Sequence, residues 1–510
     1  MMIHKLDGSF LINKLRVIHL FEADYNGTIG ILFNRKVLYN AEKKGILNNN
    51  QWGCRPHQQA EDVLMLKELT YNLSSLTKTT LATFDNDATG CFDRVPCTMA
   101  MLASRQLGAD TNICRMQADT LQNIQHQLRT AFGTSNKTYT SNDTTEIHGQ
   151  GQGSRAGPPT WVFVSSLLLN CMTKHATGAS FTCPYQQLTH TRHNDAFVDD
   201  VTGYVNYFVR ELKGNNVTSD VLRTMQHNAT LWNDLLHTSG GKLALQKCLY
   251  YIVAWQWHHG HATTIQPNHI QPKITIHPAN QEPSSIIHLD SNTAHRTLGQ
   301  MKAPSGNQSK QIEYMKKRSQ TWLHAIQESS LSRTEAQAAL DMIWFPSMAY
   351  GLGTTNISFN DLNNIQKPVT NHILTVLGYN RHFPRAVVYG SPQFGGLNFK
   401  HLYVEQGTKH ITQFIKHYRS NNSIGQLLKI SLRWVRLVAG LAVCPLRRPS
   451  KDYHHITDSW FNTTKQFLFE CNANIETNDF TNSSSQVHDS YLMDDFLLFQ
   501  PSRVETIHLN

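Results

Sequence analysis

Three aspartates, Asp87, Asp199 and Asp200, sit in short segments suited to phosphate chemistry: LATFDNDATGCFDRV and NDAFVDDVTGYV, with glycine-rich GQGQGSRAGPP around Gln152 between them. Joining a nucleotide to a primer end develops negative charge on the attacking oxygen, the leaving oxygen and the phosphoryl group between them. Two divalent cations about 3.5–4 Å apart suit that charge. Magnesium keeps water and substrate phosphate in its shell, so two or three Asp from different strands suffice to hold the pair, with manganese as a substitute. Phe-Val-Asp-Asp, flanked by apolar residues, predicts a tight hairpin with both acids at its tip, although adjacent acids in a turn are by themselves ordinary solvated surface. Asp87 falls where a strand gives way to a turn. Phe92, five residues on, is placed to crowd a ribose 2′-hydroxyl; alone it reads equally as core packing. Asp85 and Asp93 compete with Asp87 for the ligand role and rank below it, because only Asp87 has an aromatic at that spacing. Gln152-Gly153 opens a turn whose glycines allow close backbone approach to a nucleotide, and Pro158 or Pro159 then starts an apolar helix.

The elements that must position these groups read as an α+β layer, with helices packed on an antiparallel sheet. Residues 1–80 form a lobe leading into the first acidic segment, and the catalytic lobe spans 81–257. In it, Val221, Leu222, Met225, Ala229, Trp232, Leu235 and Leu236 mark one amphipathic helix, with Ser219 as N-cap and Gly240 as its stop. A strand over Cys248–Trp255 follows. Residues 258–295, rich in His, Pro, Asn and Gln, read as an irregular linker or insertion. Helices are predicted over Gln311–Ile326 and Arg333–Phe345, the second begun by a Ser332/Glu335 capping box and ended by Pro346. The unit at 296–346 is followed by a helical extension at 347–449. A polar tail at 450–510 is expected to be only partly ordered, with Trp460–Phe469 and Tyr491–Phe499 its apolar parts.

The 510-residue chain is long enough for about three or four domain-sized units. A net charge of +9 beside 27 His favours a polyanionic partner without establishing one. Nine Cys without a C-x-x-C pair point to reduced thiols and an intracellular location, nuclear or cytoplasmic. The longest apolar stretches, near Trp161–Met172 and Leu437–Val443, are too short to span a bilayer. His258, His259, His261, His269 and His277 lack a Cys pair or a matching His set, so no zinc site is predicted.

Taken in order, these segments resemble the reverse transcriptases of retroelements, most closely those of non-LTR retrotransposons, over about residues 10–450. LRVIHLFEADYN is similar to a fingers motif and NQWGCRPHQQAEDVL to the block after it. DNDATGCFDRV resembles motif A, GQGQGSRAGPP motif B, FVDD the Y-x-D-D box with Phe for Tyr, WNDLLHTSGGKLALQKC motif D, and HRTLG at His295–Gly299 the start of the thumb. The resemblance implies a right-hand polymerase: partial fingers (1–80), palm with an antiparallel sheet (81–257), helical thumb (296–346) and helical C-terminal extension. It implies two magnesium ions on Asp87, Asp199 and Asp200, helped by the backbone of Ala88, and a nucleotide pocket lined by Phe92, Gln152 and Gly153. Arg16, with Lys14 nearby, would meet the triphosphate. Lys247 would give a proton to pyrophosphate. Lys316, Lys317 and Arg318 would follow a phosphate backbone, or form an ordinary solvated face. The expected partners are an RNA template, a DNA primer and dNTPs. The fingers begin abruptly at Met1 and neither an endonuclease nor an RNase H segment is found. A separate nuclease or element-encoded protein is therefore an expected partner, and a truncated relic that binds RNA without synthesis is the alternative. An RNA-making polymerase is disfavoured by Phe92 and by the lack of G-D-D.

Overall fold

The computed structural model describes residues 2–4, 15–130, 133–141, 148–184, 188–207, 217–259, 261–265, 270, 273–277, 282–441, 443–447, 456 and 459–477, with side chains from Ile18 onward. Its centre is a sheet of five strands: β1 (Thr80–Asp87), β2 (Asn194–Phe197), β3 (Asp200–Tyr207), β4 (Leu249–Val253) and β5 (Ile287–Leu289), in the spatial order β5-β4-β1-β3-β2. Four of them form the expected antiparallel set. The fifth adds in parallel, Leu249 facing Ile287. The segment 258–295 is thus more than a spacer, because it supplies an edge strand together with short hairpin strands. His and Pro hid these two- to four-residue pieces, which are too short to show a period.

Side chains alternate across the sheet. Ala82, Phe84, Val201, Val205, Tyr250 and Ile252 join one buried core with the helices α1 (Gly157–His175) and α2 (Val217–Thr238). The same alternation sends Asp85, Asp87, Asp200, Thr202, Leu249 and Tyr251 to the opposite face. Helix α2 carries the anticipated stripe, with Val221, Leu222, Met225, Ala229, Trp232 and Leu236 buried. It begins by Val217, so Ser219 is its third residue and not its cap. Gly240, at φ +85°, ends it as expected. The strand predicted to run to Trp255 stops at Val253, and Trp255–His258 pairs separately with His261–Thr264.

Beyond the sheet, a hairpin (His295–Thr297 with Gln300–Lys302) leads into helix α3 (Ser309–Gln327). The Ser332/Glu335 capping box is formed. Its helix does not stop at Pro346, however. Arg333–Ala339 passes through a wide π-type segment, Leu340–Trp344, into Phe345–Ala349. The Phe345 N–H reaches back to the Leu340 carbonyl, five residues away, and this wide turn makes room for the proline ring that would clash in a regular α-helix. Leu340, Trp344, Met348, Leu352, Leu362 and Val369 share one core, so the anticipated division at 346/347 cuts through a single packed unit. The helix Trp460–Glu470 buries Trp460 and Phe461 against Leu428 and Leu69, and this part of the tail belongs to the body. Tyr491–Phe499 lies outside the described residues. None of the nine cysteines is paired, and no helix among the described residues is long and apolar enough to cross a membrane.

A helix, Ala60–Thr77, braces the hairpin through a buried ion pair, Lys302 Nζ to Glu68 Oε2 at 2.7 Å, with Lys302 also donating to the Thr354 carbonyl. Removing one partner strands the other charge in the interior. Lys302→Met should therefore cost about 3–5 kcal/mol, read by denaturant unfolding, and Glu68→Gln in the same chain should recover part of the loss.

Candidate active site

Asp87 closes β1, Asp200 opens β3, and the two stand directly opposite each other in register. Directly opposed residues of an antiparallel pair project from one face with Cβ atoms about 4.5–5.5 Å apart. Phe197 pairs with Asp200, leaving Val198 and Asp199 as a two-residue turn, so the predicted hairpin is formed but with one acid in its turn and Asp200 already the first residue of β3. The three carboxylates feel one another. Burial and then Asp87 raise the Asp199 carboxyl, while burial, Asp199 and Asp87 push that of Asp200 up to about 6.

Lys247, exposed in a short turn before β4, forms an ion pair with Asp87. That hydrogen bond raises the lysine's pKa above its ordinary value, so in this arrangement Lys247 is a reluctant proton donor. Ala88 is bridged to Leu243 by two hydrogen bonds that come from its neighbours, Thr89 N–H to the Lys242 carbonyl and Ala244 N–H to the Asp87 carbonyl. The N–H and C=O of Ala88 itself therefore point toward the β3 side of the strand.

Asp85 shares the face of Asp87 and is already satisfied. Lys67 Nζ lies 2.7 and 2.8 Å from its two oxygens, and the Thr202 hydroxyl donates to it at 2.7 Å. Asp93 accepts from Gln152 Nε2 at 2.6 Å. A cleft of about 500 Å³ opens over the sheet, with Asp87, Asp200 and Thr202 on one side and His295, Arg296 and Thr297 of the hairpin on the other.

Phe92, Gln152 and Gly153 do not line that cleft and form a separate wall. Phe92, half-buried against the core, closes on the turn at Gly149–Gly157, whose Gln150 N–H donates to the Phe92 carbonyl. The turn is tied to the N-terminal lobe by His19 N–H to the Gln152 carbonyl and by Asn26 Nδ2 to the Gly153 carbonyl. Gly153 has φ +120°, and a Cβ there would lie 2.3 Å from the His19 carbonyl oxygen, so no other residue fits. Arg16 lies in a strand, Leu15–Val17, and Lys14 falls outside the described residues. Lys316, Lys317 and Arg318 are exposed on α3. Arg318 donates to the Tyr314 hydroxyl, and the same ring carries the Arg296 guanidinium of the cleft 5.9 Å above it.

Asp87, Asp199 and Asp200 offer oxygen donors only, already repelling one another, which suits Mg2+ or Mn2+. Among the described residues, however, no group of three or more acidic, His or Cys side chains is gathered tightly enough to hold an ion alone. The set fits a hard cation that retains water and substrate oxygens, and it does not form a closed cage.

Sequence reasoning assigned no role to Lys67, Thr202, Gln51 or Trp161. Gln51 Oε1 accepts from the N–H of Val198 (3.2 Å) and Gly53 (2.9 Å), and its Nε2 donates to the Ser165 hydroxyl (2.8 Å) and the Val198 carbonyl (3.3 Å). Trp161 Nε1 donates to that carbonyl at 2.6 Å. Val198 is a β-branched residue at φ +61°, a conformation that costs roughly 1–3 kcal/mol and persists only where its surroundings enforce it.

No protein-family model and no curated protein matches the chain. Among solved structures, it is similar to telomerase from Candida albicans in complex with a TWJ fragment of telomeric RNA (TM-score 0.36, 11% identity, 81% of this chain and 54% of that one). It is also similar to telomerase from Candida tropicalis, with the RNA fragment (0.31, 9%, 80% and 58%) and in the apo form (0.31, 9%, 80% and 60%). The chain thus spans between 54% and 60% of the length of those proteins. Likenesses of this size decide nothing about function, which rests here on the geometry.

A carboxyl whose folded pKa lies above its unfolded value of about 3.9 holds its proton in the folded state after the unfolded chain has lost its own. The stability it contributes is complete below about pH 4 and lost as pH rises through about 6. In the absence of divalent ions, unfolding free energy should therefore fall between pH 4 and 6.5 by about 1 kcal/mol from Asp200, after allowance for screening at the open cleft. Asp200→Asn should flatten that part of the profile in urea titrations.

Proposed function

We propose that the chain is an RNA-directed DNA polymerase of retrotransposon type, adding dNTPs to a DNA primer on an RNA template. The observation that carries this reading is the opposition of Asp87 and Asp200 across β1 and β3, with Asp199 in the adjoining turn. On this reading the sheet is the palm, the N-terminal lobe the fingers, and the hairpin with α3 the thumb side of the cleft. Asp87, Asp199 and Asp200 would hold two magnesium ions, whose contribution when bound is to offset charge on the attacking, leaving and phosphoryl oxygens.

The remaining roles belong to the chain's own residues. Phe92 crowds the 2′ position of an entering ribonucleotide. Gln152 lines the nucleotide pocket with Gly153 after exchanging its bond to Asp93 for one to the substrate. Lys14 and Arg16 meet the triphosphate. Lys247 leaves Asp87 and protonates pyrophosphate. Lys316, Lys317 and Arg318 track the nucleic-acid backbone.

A second reading, binding of RNA without synthesis, is favoured by two observations: Lys247 occupies Asp87, and no metal-sized cluster is gathered among the described residues. Primer extension separates the two. With RNA template, DNA primer, dNTPs and Mg2+, the purified chain should extend the primer, and Asp199→Ala should lower the rate by about a thousandfold or more, several kcal/mol of transition-state stabilisation. Extension unaffected by Asp199→Ala would remove the assignment. Salt-sensitive RNA binding with no extension would establish the second reading.

A further inference from the structure

The hairpin turn that carries Asp199 has the wrong residue for its shape. A two-residue turn with a positive φ at its first central position is a glycine site, and here that position is Val198 at φ +61°. Both polar groups of the Val198 peptide are captured from below. Its N–H goes to Gln51, and its carbonyl receives Gln51 and Trp161. Gln51 is fully buried and is fixed by Ser165 and by its own backbone, which runs beside Ala196 of β2. Gly53 completes the seat, since a Cβ there would fall 2.2 Å from the Val198 nitrogen.

We propose that Gln51 is a positioning residue for the carboxylate turn: its side-chain amide, with Trp161 beside it, imposes on Val198 a backbone conformation that aims Asp199 and Asp200 at a shared divalent cation. The inference rests on the polymerase reading of these carboxylates and adds to it a device drawn from a distant segment. A side-chain amide, with an acceptor and a donor on one carbon, can satisfy the N–H and the C=O of a single residue at once.

The test is Mn2+ binding to the full chain, followed by electron paramagnetic resonance, in a double-variant cycle. Gln51→Leu should weaken Mn2+ binding by about tenfold, the size expected from one or two lost buried hydrogen bonds. In the Val198→Gly background, where the backbone adopts the turn unaided, the same Gln51→Leu change should cost less than about threefold, and that difference is the coupling the inference requires. A merely structural role for Gln51 would give equal losses in both backgrounds and would overturn it. So would a folded Gln51→Leu protein, checked by circular dichroism, that binds Mn2+ like the wild type. If Gln51→Leu does not fold, Trp161→Phe takes its place in the cycle, and equal losses in the two backgrounds, or none, overturn the inference in the same way. A wild type that takes up no Mn2+ overturns the polymerase reading and this one with it, whereas binding that is insensitive only to Gln51→Leu or Trp161→Phe overturns this one alone.

Discussion

Everything at the site depends on the pairing register of β1 with β3. Because side chains alternate with a period of two, a slip of one residue would carry Asp87 to the helix-covered face and bring Asn86 to the cleft. Burial forbids that slip. Ala82, Phe84, Val201 and Val205 are the face that packs on α1 and α2, and Trp232 fixes Asn86 on the same side by a hydrogen bond of 2.9 Å. The hydrophobic core thereby sets the position of the carboxylates. Burial first, and then the neighbouring carboxylates Asp199 and Asp87, push the Asp200 carboxyl up to about 6.

Around the three acids, the neighbouring carboxylates of Asp85 and Asp93 are already engaged by side chains. Asp85, one pleat away on the same face, is neutralised by Lys67 and Thr202. Asp93, six residues past Asp87, is engaged by Gln152. Asp87 differs from both, since among the described residues its ion-pair partner is Lys247, an exposed side chain.

What the sequence made legible followed from local rules. Strand-to-turn transitions, the Ser332/Glu335 box, the stripe on α2 and the Val198–Asp199 turn each depend on residues within a few positions of one another. The readings that differ from the structure depended on contacts at long range or on unusual helical geometry. The parallel edge at Ile287–Leu289 exists only because β4 is there to receive it. Pro346 reads as a stop unless the wide turn before it is known. Gln51 lies 147 residues from the peptide it holds, and nothing in NQWG announces that its amide serves Val198.

The hairpin at 295–302, where the thumb was expected to begin, is bonded on both sides. Toward the helix Ala60–Thr77 and the sheet run Thr297 to Lys67, Lys302 to Glu68 and, just before it, the Thr293 carbonyl to the Tyr251 hydroxyl; toward the helical unit that follows run Gln300 to Gly351 and Thr354, and Met301 N–H to Gln311. Lys67 is the same residue that neutralises Asp85, two positions from Asp87. Buried charge pairs of this kind hold a geometry firmly, because opening one exposes an uncompensated ion. The hairpin wall of the cleft is therefore tied both to the segment that neutralises Asp85 and to the helical unit beyond it.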